Sequence, residues 1–154
     1  DILIRNYQRH DCRVYKFDGY FATIRSINDY YSCSMDLLKP EIRHALFSER
    51  NRPVLTKVRN SSPASYIEGA IVRNSLIADG CVIEGTVENS ILFRGVKVEK
   101  GATVVNSILF KNTVVKAGAM VRNVIADKNV VFSENTSMMG HEQYPVVVAK
   151  NTAL

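Results

Sequence analysis

The 154-residue sequence contains no tryptophan, and no apolar run approaches the roughly 18 residues that a membrane-spanning helix needs. No signal-peptide pattern opens it. Its formal net charge of +5 is moderate, and its basic residues do not alternate with aromatic ones. We therefore expect no nucleic-acid partner and no membrane segment, because both leave patterns that are missing here. A moderate positive charge instead suits small anions such as sugar phosphates or nucleotides.

Cysteine and histidine are also scarce. The residues concerned are Cys12, Cys33, Cys81, His10, His44 and His141. The cysteines share no C-x-x-C spacing, and the histidines are far apart and not paired with cysteine. We therefore expect reduced thiols in a cytoplasmic protein and no metal site.

A repeat occupies the second half of the chain. The aliphatic residues Leu76, Ile91, Ile108 and Val124 have matched neighbours and lie 15, 17 and 16 residues apart. Between them, β-branched residues recur every six positions, which is typical of hexapeptide repeats with about 18 residues per three-sided coil. The sequence predicts a left-handed parallel β-helix from about residue 66 to residue 154. We expect the four aliphatic residues to point inward, and some corners to be shortened.

Glycine and asparagine punctuate this repeat. Predicted corner residues with positive φ are Gly80, Gly85, Gly95, Gly101, Gly118, Asn112, Asn129 and Asn135. Asn-Ser pairs recur at 74–75, 89–90 and 106–107. These pairs are either turn residues or polar ladders that stack between coils, and turn chemistry favours the first interpretation.

The first 48 residues have a different pattern. Residues 14–17 and 20–24 read as two short strands joined by an Asp-Gly turn, which predicts a hairpin. Ser26 with Asp29 forms a capping box before an apolar stripe at helical spacing, so a helix is expected to begin at residue 27. Pro40 ends that helix and begins another.

We divide the chain into residues 1–48, a polar and proline-containing linker at 49–65, and the β-helix at 66–154. Four basic residues crowd the linker: Arg50, Arg52, Lys57 and Arg59. Further basic residues fall on outward or corner positions of the predicted β-helix, namely Arg94, Lys97, Lys100, Lys111 and Lys116. Either group can bind an anion, although a solvated basic face is the commoner role of such residues.

Two stretches resemble one enzyme family. Residues 19–26, Gly-Tyr-Phe-Ala-Thr-Ile-Arg-Ser, and the helix pattern at 30–38 resemble the end of the nucleotidyltransferase domain of ADP-glucose pyrophosphorylase (glucose-1-phosphate adenylyltransferase). Residues 74–92 resemble the C-terminal left-handed β-helix of that family. The resemblance implies that residues 1–48 are the α/β end of a nucleotidyltransferase domain. It also implies synthesis of ADP-glucose from ATP and glucose 1-phosphate, for glycogen biosynthesis.

The resemblance includes one departure. The family pattern Gly-Tyr-Trp-x-Asp-Val-Gly carries an Asp that helps hold metal and sugar phosphate, and here Thr23 stands in its place and Arg25 replaces the second Gly. A hydroxyl offers Mg²⁺ no anionic oxygen. This departure is similar to the non-catalytic, GlgD-type regulatory subunit, which pairs with a catalytic subunit. We therefore expect no catalytic or metal-binding residue in this chain, and Mg²⁺ and ATP as requirements of the full complex.

The resemblance also concerns regulation and assembly. Effectors of the family bind near the junction of the β-helix and the catalytic domain, which makes Arg50, Arg52, Lys57 and Arg59 the candidates for an anionic effector. The expected partner is a catalytic subunit, a second copy, or both. Two alternatives stay open: a catalytic sugar-nucleotide pyrophosphorylase subunit, and a hexapeptide acyltransferase. The latter needs a histidine base on a loop between coils, and residues 70–131 contain no histidine.

Overall fold

A computed structural model of the chain describes residues 2–6, 8–9, 11, 13–48 and 53–154. The helices of these residues are α1 (Ile2–Asn6), α2 (Ile27–Asp36) and α3 (Pro40–Phe47). The strands are β1 (Ser65–Tyr66), β2 (Ile71–Arg73), β3 (Leu76–Ile77), β4 (Val82–Ile83), β5 (Thr86–Glu88), β6 (Ile91–Leu92), β7 (Lys97–Val98), β8 (Thr103–Val105), β9 (Ile108–Leu109), β10 (Val114–Val115), β11 (Met120–Arg122), β12 (Val124–Ala126), β13 (Val131–Phe132), β14 (Ser137–Met139) and β15 (Val146–Val148).

The strands form three parallel sheets that every coil visits in turn. Sheet A has the order β1-β4-β7-β10-β13, sheet B has β2-β5-β8-β11-β14, and sheet C has β3-β6-β9-β12-β15. Neighbours in each sheet are always three strands apart in the chain, so three flat sides make one coil and successive coils stack. The predicted parallel β-helix is confirmed.

The interior is a column of small aliphatic side chains. In sheet B, Val87, Val104 and Val121 are fully buried and directly in register. Phe132 is the largest fully buried side chain of the interior. Each such side chain contributes roughly 1.5–3 kcal/mol when it leaves water. A single coil has too few of them to be stable, so stacking of coils supplies the core.

The corners have the backbone conformation that their residues favour. Asn112, Asn129 and Asn135 have φ between 57° and 60°, and the predicted glycines other than Gly85 have φ between 70° and 76°. The prediction for Gly85 is wrong, because its φ is not positive. It lies in a two-residue corner between β4 and β5, so close to the carbonyl oxygen of Ala102 that a Cβ would overlap that oxygen. The corner between β7 and β8 has four residues, and this difference explains the short 15-residue repeat.

The Asn-Ser pairs serve both roles that the sequence suggested. Asn74, Asn89 and Asn106 have φ of 40°, 45° and 48°, which makes them turn residues. The serines beside them form a ladder: the N–H of Ser90 donates to Ser75 Oγ at 3.1 Å, and the N–H of Ser107 donates to Ser90 Oγ at 3.1 Å. The ladder continues from Val124 N–H to Ser107 Oγ at 3.2 Å. It joins coils at the corner between sheets B and C.

Helix α2 packs on the outer face of sheet C. Tyr31 and Leu38 form a second core with Ile91, Ile108 and Ile125, separate from the interior of the β-helix. Tyr31 is buried, and its hydroxyl donates to the carbonyl oxygen of Asn106 at 2.6 Å. The middle strands of sheet C, β6, β9 and β12, are therefore buried on both faces, because the β-helix interior lies on one side and α2 on the other.

This packing corrects the prediction that all four aliphatic repeat residues point inward. Leu76, Ile91 and Ile108 belong to the outer core under α2, whereas Val124 belongs to the interior. The residue in register with Ile108 is Ile125, one position after Val124. The inward prediction is wrong for the first three because both residues of each Ile-Leu pair are apolar. Periodicity alone does not decide which of two such residues points inward.

The segment before α2 contains one confirmed and one wrong prediction. Ser26 Oγ accepts from the N–H of Asp29 at 3.1 Å, and α2 begins at Ile27 as predicted. The hairpin at 14–17 and 20–24 does not form, and Val14 is 98% exposed. No strand of the described chain pairs with this segment, and a lone two-stranded hairpin is at best marginally stable in water. The division at residues 48 and 65 stays a prediction.

No helix of the described residues has the length and apolar character required to cross a membrane.

Candidate functional site

The segment with the two family departures lies in front of α2. Thr23 and Arg25 are both exposed. The backbone N–H of Arg25 donates to Asp29 Oδ2 at 3.0 Å, so the helix start fixes this residue. Arg25 also lines an apolar cavity of about 450 Å³ between the start of α2 and sheet C, together with Ile24, Ser26, Ile27, Tyr30, Ile125 and Val147.

The carboxylates near this segment serve the structure of the helix. The hydrogen bond from the Arg25 backbone holds the pKa of Asp29 below its usual value, and Ser26 adds to the effect. Asp36, at the other end of α2, accepts from Lys39 Nζ at 2.7 Å and from the Tyr20 hydroxyl at 3.0 Å. The bond from Lys39 lowers the pKa of Asp36. Within the described ranges, no group of three His, Cys, Asp or Glu side chains could hold a metal ion.

The basic linker residues are only partly placed. Arg50 and Arg52 lie outside the described residues. Lys57 and Arg59 are exposed, and Arg59 lines a cavity. That cavity has a volume of about 140 Å³ and is also lined by Phe93, Arg94 and Lys111. The structure thus brings one linker residue to two basic residues of the β-helix corner.

Arg94 and Lys111 occupy equivalent positions in neighbouring coils. The N–H of Asn112 donates to the Arg94 carbonyl oxygen at 3.1 Å, which fixes this relation. Phe93 and Phe110, one residue before each of them, stack with ring centroids 4.7 Å apart. Arg94 Nε is buried and has no hydrogen-bond partner within the described structure. Three cationic groups around one cavity with an unsatisfied donor can hold an anion.

The sequence did not predict that Arg59, Arg94 and Lys111 lie around one cavity. Lys97 lies on β7, and Lys100 and Lys116 lie in the corners that lead from sheet A to sheet B. None of these three lysines lines this cavity. The usable signal was repeat position: Arg94 and Lys111 each precede a corner residue with positive φ, in adjacent copies of the repeat.

Two reactive side chains have ordinary structural surroundings. His141 is exposed in the loop between β14 and β15, where its Nδ1 accepts from the N–H of Gln143 at 3.2 Å. Cys81 is buried in the β-helix interior, and burial raises the pKa of its thiol. Its Sγ donates to the carbonyl oxygen of Phe93 at 3.2 Å. Neither surrounding supports the acyltransferase alternative or a cysteine nucleophile.

Comparison with known proteins identifies the repeat. The family described as "GlmU-like, C-terminal hexapeptide" matches residues 60–144, more than half of the chain. The chain belongs to this hexapeptide family. Among its relatives, the glycogen biosynthesis protein GlgD of Bacillus subtilis (strain 168) is 46% identical over 87 residues, 56% of this chain and 25% of the relative. GlgD of Geobacillus stearothermophilus is 40% identical over 57% of this chain and 32% of the relative.

Enzymes named glucose-1-phosphate adenylyltransferase match a similar share of this chain. That of Clostridium botulinum (strain Eklund 17B / Type B) is 44% identical over 89 residues, 56% of this chain and 22% of the relative. This hexapeptide chain thus spans between 22% and 32% of the length of these relatives. The resemblance to the GlgD and glucose-1-phosphate adenylyltransferase proteins is confirmed over the hexapeptide region.

Proposed function

We propose that the chain is the C-terminal part of a regulatory subunit of glucose-1-phosphate adenylyltransferase. The complete enzyme would make ADP-glucose from ATP and glucose 1-phosphate for glycogen biosynthesis. The observation that carries the proposal is the similarity of the β-helix to two GlgD proteins, at 46% and 40% identity. The names of the adenylyltransferase relatives support the same enzyme complex.

The regulatory rather than catalytic role rests on Thr23 and Arg25. Nucleotidyl transfer uses Mg²⁺ to bridge phosphate oxygens, and Mg²⁺ favours carboxylate ligands. Thr23 supplies no carboxylate, and the carboxylates of Asp29 and Asp36 accept hydrogen bonds from Arg25 N–H and Lys39 Nζ at the two ends of α2. Loss of one such ligand costs about 4 kcal/mol at the transition state, roughly a thousandfold in rate. Mg²⁺ and ATP are then requirements of the complex that the partner subunit meets.

Partners and effector follow from the same proposal. The partner is a catalytic subunit, a second copy of this chain, or both, and the basic linker with Lys57 and Arg59 contacts an anionic sugar phosphate or nucleotide. Arg50 and Arg52 belong to this candidate set by sequence. The described cysteines, Cys33 and Cys81, are free thiols, the state that a reducing cytoplasm maintains.

A rate assay on the full-length protein tests the proposal. ADP-glucose formation is measured for the protein alone, for the catalytic subunit alone, and for the two together. We expect turnover of the protein alone at least about a thousandfold below that of the catalytic subunit, and a changed rate or effector response when both are mixed. The catalytic subunit mixed with an unrelated β-helix protein is the control. Full turnover by the protein alone would instead support the catalytic-subunit alternative.

The 44% identity to a named adenylyltransferase, which lies between the values for the two GlgD proteins, is the observation that keeps this alternative in view. Substitutions that restore the family residues distinguish the regulatory from the catalytic hypothesis more sharply. In the full-length protein, Thr23→Asp combined with Arg25→Gly returns the family pattern and lowers the net charge by two. Thr56→Asp combined with Lys150→Gly, at exposed positions elsewhere, makes the same change of charge. A rate gain confined to the first variant would show that these two positions mark a lost site.

A further inference from the structure

We propose that a cavity between the helices and the β-helix corner that joins sheets B and C binds a neutral saccharide of one or two rings. The cavity has a volume of about 520 Å³, within the range of about 300–1,000 Å³ that is usual for small-molecule sites. One side is formed by the corner residues Asn74, Asn89 and Asn106, and the other sides by α2, the start of α3 and the loop between β14 and β15. It shares no lining residue with the basic cavity at Arg94.

The first argument is a difference between two columns of corner asparagines. In the corner between sheets C and A, Asn112 Nδ2 donates to Asn129 Oδ1 at 3.2 Å, and Asn129 Nδ2 donates to Asn151 Oδ1 at 2.9 Å. These amides satisfy one another from coil to coil. In the corner between sheets B and C, the corresponding ladder has one bond, from Asn74 Nδ2 to Asn89 Oδ1 at 2.9 Å.

The second column stops at Asn106. Within the described chain, the side-chain amide of Asn106 has no hydrogen-bond partner, and Asn89 Nδ2 donates to no acceptor. The backbone of Asn106 is nevertheless fixed, because its N–H donates to the Glu88 carbonyl oxygen at 3.1 Å and its own carbonyl oxygen accepts from the Tyr31 hydroxyl. An amide both donates and accepts, as a sugar hydroxyl does. Two such amides in adjacent coils therefore offer several contacts to one ligand.

Three carboxylates add acceptors around the same cavity. Asp36 lies at the end of α2, Glu41 in the first turn of α3, and Glu142 in the loop between β14 and β15. Asp36 is bound to Lys39, the one basic residue of the described chain that lines the cavity. Glu41 and Glu142 take part in none of the ion pairs of the described residues. Their carboxylates can accept charge-assisted hydrogen bonds from hydroxyl groups.

This lining selects against charged ligands. Three carboxylates against one paired ammonium repel a phosphate or a carboxylate. Within the described ranges, no three His, Cys, Asp or Glu side chains are grouped so that they could hold a metal ion. The side chains of Met35, Leu38 and Pro40 complete the lining and provide an apolar surface for the C–H face of a sugar ring. A neutral molecule with many hydroxyl groups thus matches the cavity, and an organic cation is the competing occupant.

Calorimetric titration of the purified full-length protein with maltose tests the site. The choice of glucose units rests on the proposed function, and a disaccharide without phosphate does not compete for a sugar-phosphate site. We expect saturable binding that Asn106→Gly weakens at least about fivefold, since the variant loses the contacts of one amide. Glycine tolerates the φ of 48° at this corner, so the backbone conformation is kept.

Asn135→Gly is the matched control. Asn135 is a corner residue with a φ of 58°, and its side chain does not line the cavity. Maltose affinity should stay within about twofold in this variant, because the two sites are independent.

Ser32→Phe is a second test that leaves the asparagines intact. Ser32 is exposed on α2 and lines the cavity, so a phenyl ring at this position occupies the space of the ligand. We expect maltose affinity to fall at least about tenfold. Thermal unfolding without maltose checks that the three variants fold like the wild type.

Three results would overturn the proposal. The first is maltose binding that is absent or not saturable in the full-length protein. The second is an equal loss of affinity in Asn106→Gly and Asn135→Gly. The third is saturable binding of spermidine, titrated in parallel, that displaces maltose and is abolished by Glu142→Gln, which would assign the cavity to an organic cation.

Maltose binding is measured without ADP-glucose synthesis. Failure of the subunit assay therefore leaves this site standing, and failure of maltose binding leaves the subunit assignment standing.

Discussion

The outer faces of sheets B and C differ although their inner faces are alike. Both sheets send buried aliphatic residues such as Val104 and Leu109 into the same interior. On the outside of sheet C, Ile91 and Ile108 are buried under α2. On the outside of sheet B, Met120 remains 39% exposed and Arg122 is exposed as well. One face is thus an interface with the rest of the chain, and the other is a solvated surface.

The difference shows how the sequence of a β-helix strand reflects whether its outer face is covered or exposed to solvent. Strands that face solvent alternate, as in Met-Val-Arg of β11, whereas β6 and β9 read Ile-Leu without alternation. A strand that is buried on both faces needs apolar residues at consecutive positions. The apolar stripe of α2 supplies the surface that covers these strands. Four substitutions would break or sharpen this comparison.

The largest effect is expected at Ile108. Ile108→Ala empties a fully buried position between sheet C and α2, and we expect a loss of about 2–5 kcal/mol in the free energy of unfolding. Thr103→Ala, on the outer face of sheet B, should cost less than about 1 kcal/mol. Urea unfolding of both variants measures the contrast. Equal losses would mean that α2 does not cover sheet C in solution.

Ser107→Ala tests the corner that joins the two faces. Ser107 Oγ donates to the Val105 carbonyl oxygen at 2.8 Å and accepts from Val124 N–H, and the side chain is fully buried. Because the variant leaves a buried N–H unpaired, we expect a loss of about 1–3 kcal/mol. Hydrogen exchange should show faster exchange of the Val124 amide. Unchanged protection there would contradict a structural role for the serine ladder.

Tyr31→Phe tests the attachment of α2. Removing the hydroxyl leaves the Asn106 carbonyl oxygen without this donor, and we expect a loss of about 1–2 kcal/mol at neutral pH. Burial raises the pKa of Tyr31 to about 12 in the folded protein. The unfolded chain ionises at its ordinary value near 10. Tyr31 therefore stabilises the fold fully below pH 10 and progressively less up to about pH 12.

The pH profile separates the contribution of the Tyr31 hydrogen bond at neutral pH from that of Tyr31 ionisation at high pH. Stability of the wild type should fall between pH 10 and 12, and Tyr31→Phe should flatten that fall. Desolvation is the main cause that raises the pKa of Tyr20 to about 12, so Tyr20 still contributes to the alkaline loss of stability in the variant. An alkaline decline that is identical in both proteins would show that Tyr31 is accessible in the folded state.

The smallest effect is expected at the start of α2. Ser26→Ala removes the side-chain acceptor for the Asp29 N–H, which typically costs about 1 kcal/mol. Ser26→Asp keeps an acceptor at the same position and should be close to wild type. Circular dichroism during thermal unfolding compares the two. Equal stability of both variants would mean that the packing on sheet C alone holds this helix.

The candidate site was predictable only in part. Sequence reasoning proposed linker residues for an anionic effector, and the structure brings Arg59 of that set to a cavity with Arg94 and Lys111. The meeting of these three residues depends on how the linker crosses the β-helix corner, which no local pattern encodes. Thr23 and Arg25 were visible only against a family pattern. Both residues are exposed because the predicted hairpin that would contain Thr23 does not form. No further strand pairs with that segment, and a lone two-stranded hairpin is at best marginally stable.

The sequence by itself determined the β-helix, its corners and the start of α2. Those features follow from local chemistry: a six-residue repeat, positive φ at Asn and Gly, and a serine that caps the following helix. Tertiary structure alone decided that Ile91 and Ile108 point outward, that Gly85 serves a close approach, and that Arg59 meets Arg94. Each of these depends on what lies across space from a residue, and residues that are distant in sequence supply that neighbour.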